Sequence, residues 1–409
     1  MNLGYGGTPL VFLSILLLLD VVLLIASILF LQDSVKEQEW QAIRAGSGGL
    51  FLTIILGAAI LFLPFLRWLV TIFFALWFLF FLLCFFPGKP NHQALKGTEG
   101  YIREEVKRFD ERDTVFSRNR SLPPRSEVYK HYYEMHPERE EKDRLRRAAG
   151  PPLGRLGSID KEHRPNVAML RGTFHLPITL GSKDQVEPSI EPSSFPLDPN
   201  EATDRIKGFA RHLGADLVGI CRVDPRWAYS HRGEIFYNNW DEWGKELPSP
   251  LPFAIVIATE MDENLVRGAP HTPSVVESGV NYAKGAYIST ILANFIGQLG
   301  YAAVAHHFRH YDLLLVPLAI DAGLGELGRL GYLITEEFGP RVRLAAVTTS
   351  ISLVPDKPVD LGVQRFCTRC KKCSDSCPSH SIPDGGNVIF NGVQKRKREE
   401  DSCFASWAK

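Results

Sequence analysis

The sequence predicts an α/β domain, or its α+β variant, between an N-terminal three-helix transmembrane anchor and a small cysteine-bearing module at the C-terminal end. Three observations carry this. Residues 10–31 and 48–86 are almost wholly apolar, short β-branched runs alternate with helical patterns from 200 to 355, and four of seven cysteines fall within the eleven residues Cys367 to Cys377. The length of 409 residues suits about two to three folding units. Lys and Arg balance Asp and Glu at 46 each, so no global field favours nucleic acid, and 45% hydrophobic residues exclude a disordered chain. Cysteines crowded in one place, with no spread-out disulfide framework, point to metal and a reducing compartment.

Residues 1–87 read as the anchor, with spans at about 10–31, 48–65 and 67–86. Leu10 to Leu31 is 22 residues broken only by Asp20, enough at about 1.5 Å per residue to cross a hydrocarbon core of roughly 30 Å. It is too long for a signal-peptide core, and no basic n-region, twin-arginine pair or cleavage signal accompanies it, so a retained helix is expected. Gly48 to Phe86 would make one helix of about 58 Å, twice the membrane, so it must break, most naturally at Pro64 to Arg67. Asp20 in mid-span costs about 2.5–3.5 kcal/mol unpaired, which predicts that it faces another helix or a partner. Lys36 and Arg44 lie in the first loop, Arg67 in the tight turn, and Lys89, Lys96, Arg103, Lys107 and Arg108 after the last span. This bias predicts a multi-pass protein of the cell inner membrane with its bulk in the cytoplasm.

Residues 88–199 read as extension and linker. The mixed charges of 88–150 suggest solvated helices, and prolines without periodicity from 151 to 199 suggest irregular covering. Between 200 and 355, Asn200 to Leu213 is a helix with capping potential at Thr203. ADLVGICRV and FAIVIAT are core strands, Val276 to Leu299 is a long helix, and Ala302 to Val304 and Leu344 to Thr348 are further strand-like runs.

Residues 356–409 hold Cys367-x2-Cys370-x2-Cys373-x3-Cys377-Pro378, the spacing that wraps three thiolates around one 4Fe-4S cube and sends the fourth to a second cluster. Zinc sites usually pair two Cys-x2-Cys knuckles or add a distant His, so zinc is the weaker reading. Arg365, Arg369, Lys371 and Lys372 surround the motif as charge compensation, docking face or plain solvated surface. Two cubes need eight thiolates and only Cys403 follows Cys377, so this ferredoxin-like module reads as incomplete, with truncation favoured over completion by a partner. Cys84 and Cys221 read as small hydrophobes.

Gly323, Gly325 and Gly328 in GLGELG match a dinucleotide fingerprint letter by letter. The preceding PLAIDA reads as a short helix rather than a first strand, and no acidic residue ends a second strand at the expected distance, so nucleotide is disfavoured. A backbone lying close to another large flat ligand explains the glycines equally well. His306, His307 and His310 in HHFRH invite a metal reading.

FDERDTVFSR, YYEMHPEREEKDRLRR, GADLVGICRVDPRWAYS, PLAIDAGLGELGRLGYLITEEFGPRVRLAAVTT, LVPDKPVDLGVQRFCTRCKKCSDSCPSHSI and DSCFASW together resemble the corrinoid-dependent reductive dehalogenases over roughly residues 100 to 409. The resemblance implies a nitroreductase-like domain holding a base-off corrinoid at 200–355, and a ferredoxin-like module with two 4Fe-4S clusters. It implies an organohalide substrate whose halogen is replaced by hydrogen, an electron donor such as ferredoxin, flavodoxin or a membrane reductase, the lipid bilayer as surroundings, and no nucleic acid. By position it assigns Tyr282 as proton donor and Arg343, with Arg341 as alternative, as the basic residue stabilising its phenolate. From the residues alone, Tyr282 is equally a tyrosine of an amphipathic helix. It further implies that Gly323, Leu324, Gly325, Gly328 and His310 line the corrinoid or substrate, that Cys367, Cys370, Cys373 and Cys377 hold iron, and that Cys403 opens the second cluster motif. Respiratory members are exported by a twin-arginine leader and anchored by a separate small protein, a pattern this chain departs from. Two alternatives stand beside this reading: an epoxyqueuosine-reductase-like enzyme with Asp312 as acid, and a membrane-tethered iron-sulfur electron carrier.

Overall fold

The computed structural model describes residues 10–37, 39–84, 89–148 and 164–406. Its contacts divide the chain into two units, Met1–Lys89 and Pro90–Lys409. In the first, α1 (Leu10–Lys36) and α2 (Trp40–Phe62) are followed by a single 3-10 turn at Pro64–Leu66 and by α3 (Arg67–Cys84). The expected break at Pro64 to Arg67 is there, closed by Arg67 Nε donating to Ile60 O at 2.9 Å. α2 starts eight residues earlier than Gly48, because Trp40 to Ser47 offers no proline to stop it. Leu13–Lys36 and Trp40–Phe62 are long and apolar enough to cross a membrane, and Arg67–Leu83 is a shorter apolar helix. Asp20 is 7% exposed and lies against Gly57 of α2, where an added Cβ would come within 2.6 Å of its Oδ2. The expected helix neighbour of Asp20 is therefore α2.

The second unit is built on β1 (Leu217–Arg222), β2 (Phe253–Glu260), β3 (Ala303–His306) and β6 (Val342–Thr349), in the order β1-β2-β6-β3, with β4 (Glu326–Leu327) and β5 (Leu333–Ile334) paired apart from it. Every pairing is antiparallel. Of the two classes left open by helix–strand alternation, this pairing selects α+β, since parallel βαβ crossovers are absent from the described sheet. β2 is buried on both faces, and its side chains divide by the period of two. Phe253, Ile255 and Ile257 pack with Ile206 of α8 (Pro199–His212) and Ile288, Leu292 and Ile296 of α9 (Thr272–Gln298). Ala254, Val256 and Ala258 pack with Trp227 and with Leu318 and Ala319 of α10 (Leu315–Asp321).

Three sequence expectations need correction. The cap of α8 is Asp198, accepting from Asn200 N at 2.9 Å, whereas the Thr203 hydroxyl accepts from Val354 N at 2.9 Å and ties the helix to a later loop. The stretch from 151 to 199 is not all irregular: α7 spans Arg164–Thr179, and its pattern is hidden by mixed polarity and by Pro177 near its end. The charges of 88–150 are not all solvated. On α4 (Val115–Arg120) and α6 (Pro137–Ala148), which flank α5 (Glu127–Met135) in the chain, Arg118, Asp143 and Arg146 are buried. Arg118 donates at 2.6 Å to both Asp143 and Asp401, so these helices grip the helix Glu400–Ser406 that carries Cys403.

Candidate active site and cysteine loop

Long helix α9 lies along β6, and this contact unites residues 61 positions apart, Tyr282 and Arg343. The Arg343 guanidinium sits over the Tyr282 ring, 5.0 Å from its centroid, and Nη2 donates to the Ser278 hydroxyl one turn earlier at 2.8 Å. The same ring stacks on Phe308, centroids 4.4 Å apart and planes 27° apart. Phe174 of α7 stands 6.1 Å from Tyr282 and 5.2 Å from Phe308. Contact with a cation and with an aromatic ring holds the tyrosine in place. Among the described residues its hydroxyl has no hydrogen-bond partner, and Arg343 Nε is buried without one. The alternative cation, Arg341, is engaged elsewhere, donating to Glu260 Oε1 and Met261 O at 2.8 Å each.

The three histidines do not converge. His306 Nδ1 accepts from Asp312 N at 3.3 Å, which leaves the proton on Nε2 to donate to Thr348 Oγ1 at 3.0 Å. His307 Nε2 donates to Leu180 O at 3.1 Å. Burial lowers both, His306 to about 3 and His307 to about 4. His310 Nε2 is buried without a partner, 3.9 Å from Asp312 Oδ2. The triad whose ligand atoms lie within 4.8 Å of one another is therefore His306, His310 and Asp312 rather than three histidines. Burial would raise the Asp312 carboxyl, but the bonded Arg232 guanidinium outweighs it and holds the group below its usual range. A carboxylate kept ionised is a poor proton donor, which counts against Asp312 as the acid. Behind it, Arg232 also faces buried Glu111 at 3.5 Å, whose carboxyl burial pushes up to about 7.

In the cysteine loop Cys367 is buried and Cys370, Cys373, Cys377 and Cys403 are partly so, all as free thiols. No three of these sulfurs lie within 4.8 Å of one another among the described residues, whereas tetrahedral zinc at about 2.3 Å per bond draws sulfurs to roughly 3.8 Å. Burial, together with the neighbouring Cys367 and Cys370, raises the Cys373 thiol. Against a burial penalty, hydrogen bonds from Ser379 and Ser381 bring Cys377 down to about 6.

The glycine motif acquires a different reason. Gly323 has φ +73° and Gly325 φ +157°, and added Cβ atoms there would strike Lys357 O at 2.4 Å and Ile334 O at 2.2 Å; one at Gly328 would meet Ile334 Cγ1 at 2.8 Å. Chain-on-chain packing thus demands these glycines, and Leu324 joins the core beside them. The polar residues of the same motif brace the cysteines. Glu326, 3% exposed, accepts from Leu361 N at 2.7 Å and Gln364 N at 3.2 Å at the start of α11 (Val363–Arg369). Arg329, 2% exposed, donates to the carbonyls of Cys367, Cys370, Pro383 and Gly385. Glu326 and Arg329 are bracing residues that the glycine spacing does not reveal; the signal is two buried charges, one inside the otherwise apolar glycine loop and one directly after it.

No family model matches the chain. The tetrachloroethene reductive dehalogenase of Dehalobacter restrictus is 37% identical over 251 residues, 51% of this chain and 45% of the relative. That of Sulfurospirillum multivorans is 33% identical over 242 residues, 51% of this chain and 48% of the relative. The chain thus spans about half the length of the curated relatives it matches. Among solved structures, a catabolic reductive dehalogenase in complex with 3-bromo-4-hydroxybenzoic acid superposes with TM-score 0.58 at 25% identity, over 74% of this chain and 39% of that one. A reductive dehalogenase described with a mechanism for B12-dependent dehalogenation gives 0.57 at 25% identity, over 74% and 40%. An epoxyqueuosine reductase of Lactococcus garvieae matches over only 76 residues, at 34% identity. Over about half of its length in sequence, and in fold, this chain is similar to the reductive dehalogenases.

Proposed function

We propose that the protein is an oxidoreductase that replaces the halogen of an organohalide by hydrogen, with Tyr282 as the proton donor. The observation that carries this is the Arg343 guanidinium fixed 5.0 Å over the Tyr282 ring beside a hydroxyl with no protein partner. The net reaction takes R–X, two electrons and one proton to R–H and halide. A corrinoid, when bound, supplies the two-electron cleavage of the carbon–halogen bond, which side chains do poorly. What the chain itself supplies is position and the proton. A tyrosine donates readily at neutral pH but leaves a phenolate, and a cation held against its ring stabilises that charge at the moment it forms.

The residues fit the groups the family implies. Cys367, Cys370, Cys373 and Cys377 on an eleven-residue loop, two of whose carbonyls are bonded by a buried arginine, and Cys403 beyond it match the ligands of iron-sulfur clusters. At the corrinoid we assign His310, on the strength of its unpartnered nitrogen, and Gly323, Leu324, Gly325 and Gly328, on the family resemblance. Clusters held there would pass on electrons from a donor protein or membrane reductase. We read α1 to α3 as an inner-membrane anchor with the catalytic part cytoplasmic, supported by two helices of spanning length and by the Lys and Arg bias.

Tyr282→Phe tests the acid. Full-length cofactor-loaded protein with an artificial reductant should lose at least roughly 100-fold in dehalogenation rate, the lower end of what a general acid contributes, while cobalt and iron contents stay unchanged. Near-normal turnover by the Phe variant makes Tyr282 a packing residue. Protein that binds iron but no cobalt is an electron carrier instead.

A further inference from the structure

The chain turns sharply just after the fourth cysteine of the loop. His380 N donates to Cys377 O at 3.0 Å, and His380 has φ +50°, a left-handed conformation that residues other than glycine seldom adopt. This turn brings the residues on either side of the histidine to one sulfur. The hydroxyl oxygens of Ser379 and Ser381 lie 3.3 Å and 3.4 Å from Cys377 Sγ and 2.9 Å from each other. Ser381 is 3% exposed, so its hydroxyl has little water to turn to. Its carbonyl accepts from Glu399 N at 2.9 Å, and Glu399 O accepts from Cys403 N at 3.2 Å, which fastens the turn to the helix that carries Cys403. Two hydroxyl protons thus serve three short contacts. A sulfur bound to iron carries no proton, and the serines use at most one proton between themselves, so at least one is left to donate to the sulfur. Among the described residues, the sulfurs of Cys367, Cys370, Cys373 and Cys403 accept from no hydroxyl.

We propose that the hydroxyls of Ser379 and Ser381 set the reduction potential of the iron-sulfur cluster that Cys377 ligates, holding it above the value that cysteine ligation alone would give. This rests on the reading of the cysteines as cluster ligands and not on Tyr282 as the acid. An electron added to a cluster places part of its charge on the ligating sulfurs, and a hydrogen bond to such a sulfur strengthens as that charge grows, so it favours the reduced state. The serines keep their protons throughout; they change only the balance between the cluster with and without one electron from the donor. By its spacing Cys377 belongs to a different cube from the three cysteines before it. The two hydroxyls therefore bias one cube and leave the other alone, which fixes where an electron settles. Acting through the sulfur, Ser379 and Ser381 are positioning residues and touch no substrate.

The experiment is a redox titration of full-length, iron-loaded protein followed by electron paramagnetic resonance, which needs neither substrate nor turnover. Ser379→Ala and Ser381→Ala together should move the ratio of reduced to oxidised cluster at least about ten-fold toward oxidised, a midpoint lowered by about 59 mV for one electron. The shift should appear in one cluster signal only. Each single alanine variant should shift less, because the remaining hydroxyl still reaches the sulfur. Ser379→Thr keeps a hydroxyl and should stay within about two-fold of the unmodified protein. Should the double variant fail to hold iron, the unmodified protein decides the matter. After exchange into heavy water, electron–nuclear double resonance should show an exchangeable hydrogen coupled to that cluster, and Ser381→Ala should weaken it. A midpoint in the double variant within about two-fold of the unmodified ratio, or an exchangeable coupling unchanged in Ser381→Ala, overturns the proposal and leaves the serines as turn residues. Unmodified protein that binds no iron overturns the reading of the cysteines and the proposal with it, whereas the outcome of Tyr282→Phe bears on neither.

Discussion

In the cysteine loop, four thiols come from eleven consecutive residues and one buried arginine holds the carbonyls of two of them, Cys367 and Cys370, whereas at the tyrosine site Tyr282, Phe308, Arg343 and Phe174 come from four separate stretches of chain. The first site is local and its parts are held by backbone; the second exists only once α9 has docked on β6 and α7 on α9. Damage should therefore spread differently. A fault in the loop acts on everything the loop holds, while a fault at the tyrosine removes one contribution and leaves the scaffold standing.

The largest effect belongs to the loop. Cys370→Ala should abolish most iron-sulfur absorbance, since a cube with two of three local thiolates is poorly held. Arg329→Met leaves four carbonyls without their donor in a buried place, at about 1–3 kcal/mol for each that finds no water. Iron and sulfide should fall with it, although Arg329 is no ligand. Arg329→Lys should recover little, because an ammonium lacks the planar fork that reaches several carbonyls at once. Normal iron content in Arg329→Met would make the loop self-supporting and erase the contrast with the tyrosine site.

The next effect is smaller and purely kinetic. Arg343→Gln keeps a donor for the Ser278 hydroxyl and removes the cation over the Tyr282 ring. A cation in such a place is worth about 0.5–2 kcal/mol to a neutral ring and more to a phenolate, so the rate should fall by on the order of ten-fold with cofactor contents intact. Arg343→Lys should fall between. An equal loss of iron in Arg343→Gln would mean the two sites are not separately built.

These two sites also differ in how much of each the residues declare. The cysteine spacing is legible because the chemistry is local: thiolates that share a cube must be close in sequence, and proline after the fourth is visible in the string. The strands were legible as well, since β-branched runs at 217–222 and 253–260 are buried on both faces. The pairing of Tyr282 with Arg343 came from family resemblance and could not come from spacing, because it depends on the register that sets Arg343 opposite Thr259 on β2. Helix α7 was missed for a related reason: it is ordered by its contact at Gly279 rather than by a clean apolar stripe. The burial of Arg118 and Asp143 was missed because a charge run looks alike whether it faces water or a partner helix.

The smallest effect on turnover, and the one that separates stability from catalysis, concerns Glu111 behind Asp312. Its carboxyl is 1% exposed and accepts from Gly233 N at 2.7 Å and Glu234 N at 3.1 Å. Burial pushes it up to about 7, with Arg232 opposing and Glu234 assisting. A carboxyl raised in the folded state binds its proton more tightly there than in the unfolded chain, where it titrates near 4.3. Below that value the group adds nothing. Between about 4.3 and 7 the unfolded chain ionises first, so stability falls as pH rises, and above 7 the penalty is constant at an order of 3 kcal/mol. Glu234 acts in the same direction, while Asp312 and Asp401, both lowered, act in the opposite one, so the comparison must be between the protein and Glu111→Gln. Glutamine keeps an oxygen for the two amides and cannot ionise. Denaturant unfolding at pH 5 and pH 8 should show the loss on raising the pH shrink by about 1–3 kcal/mol in the variant, with turnover at pH 7 within about two-fold of the unmodified protein. An unchanged pH dependence would mean that Arg232 keeps Glu111 ionised throughout, and that the charge behind Asp312 is fixed rather than titrating.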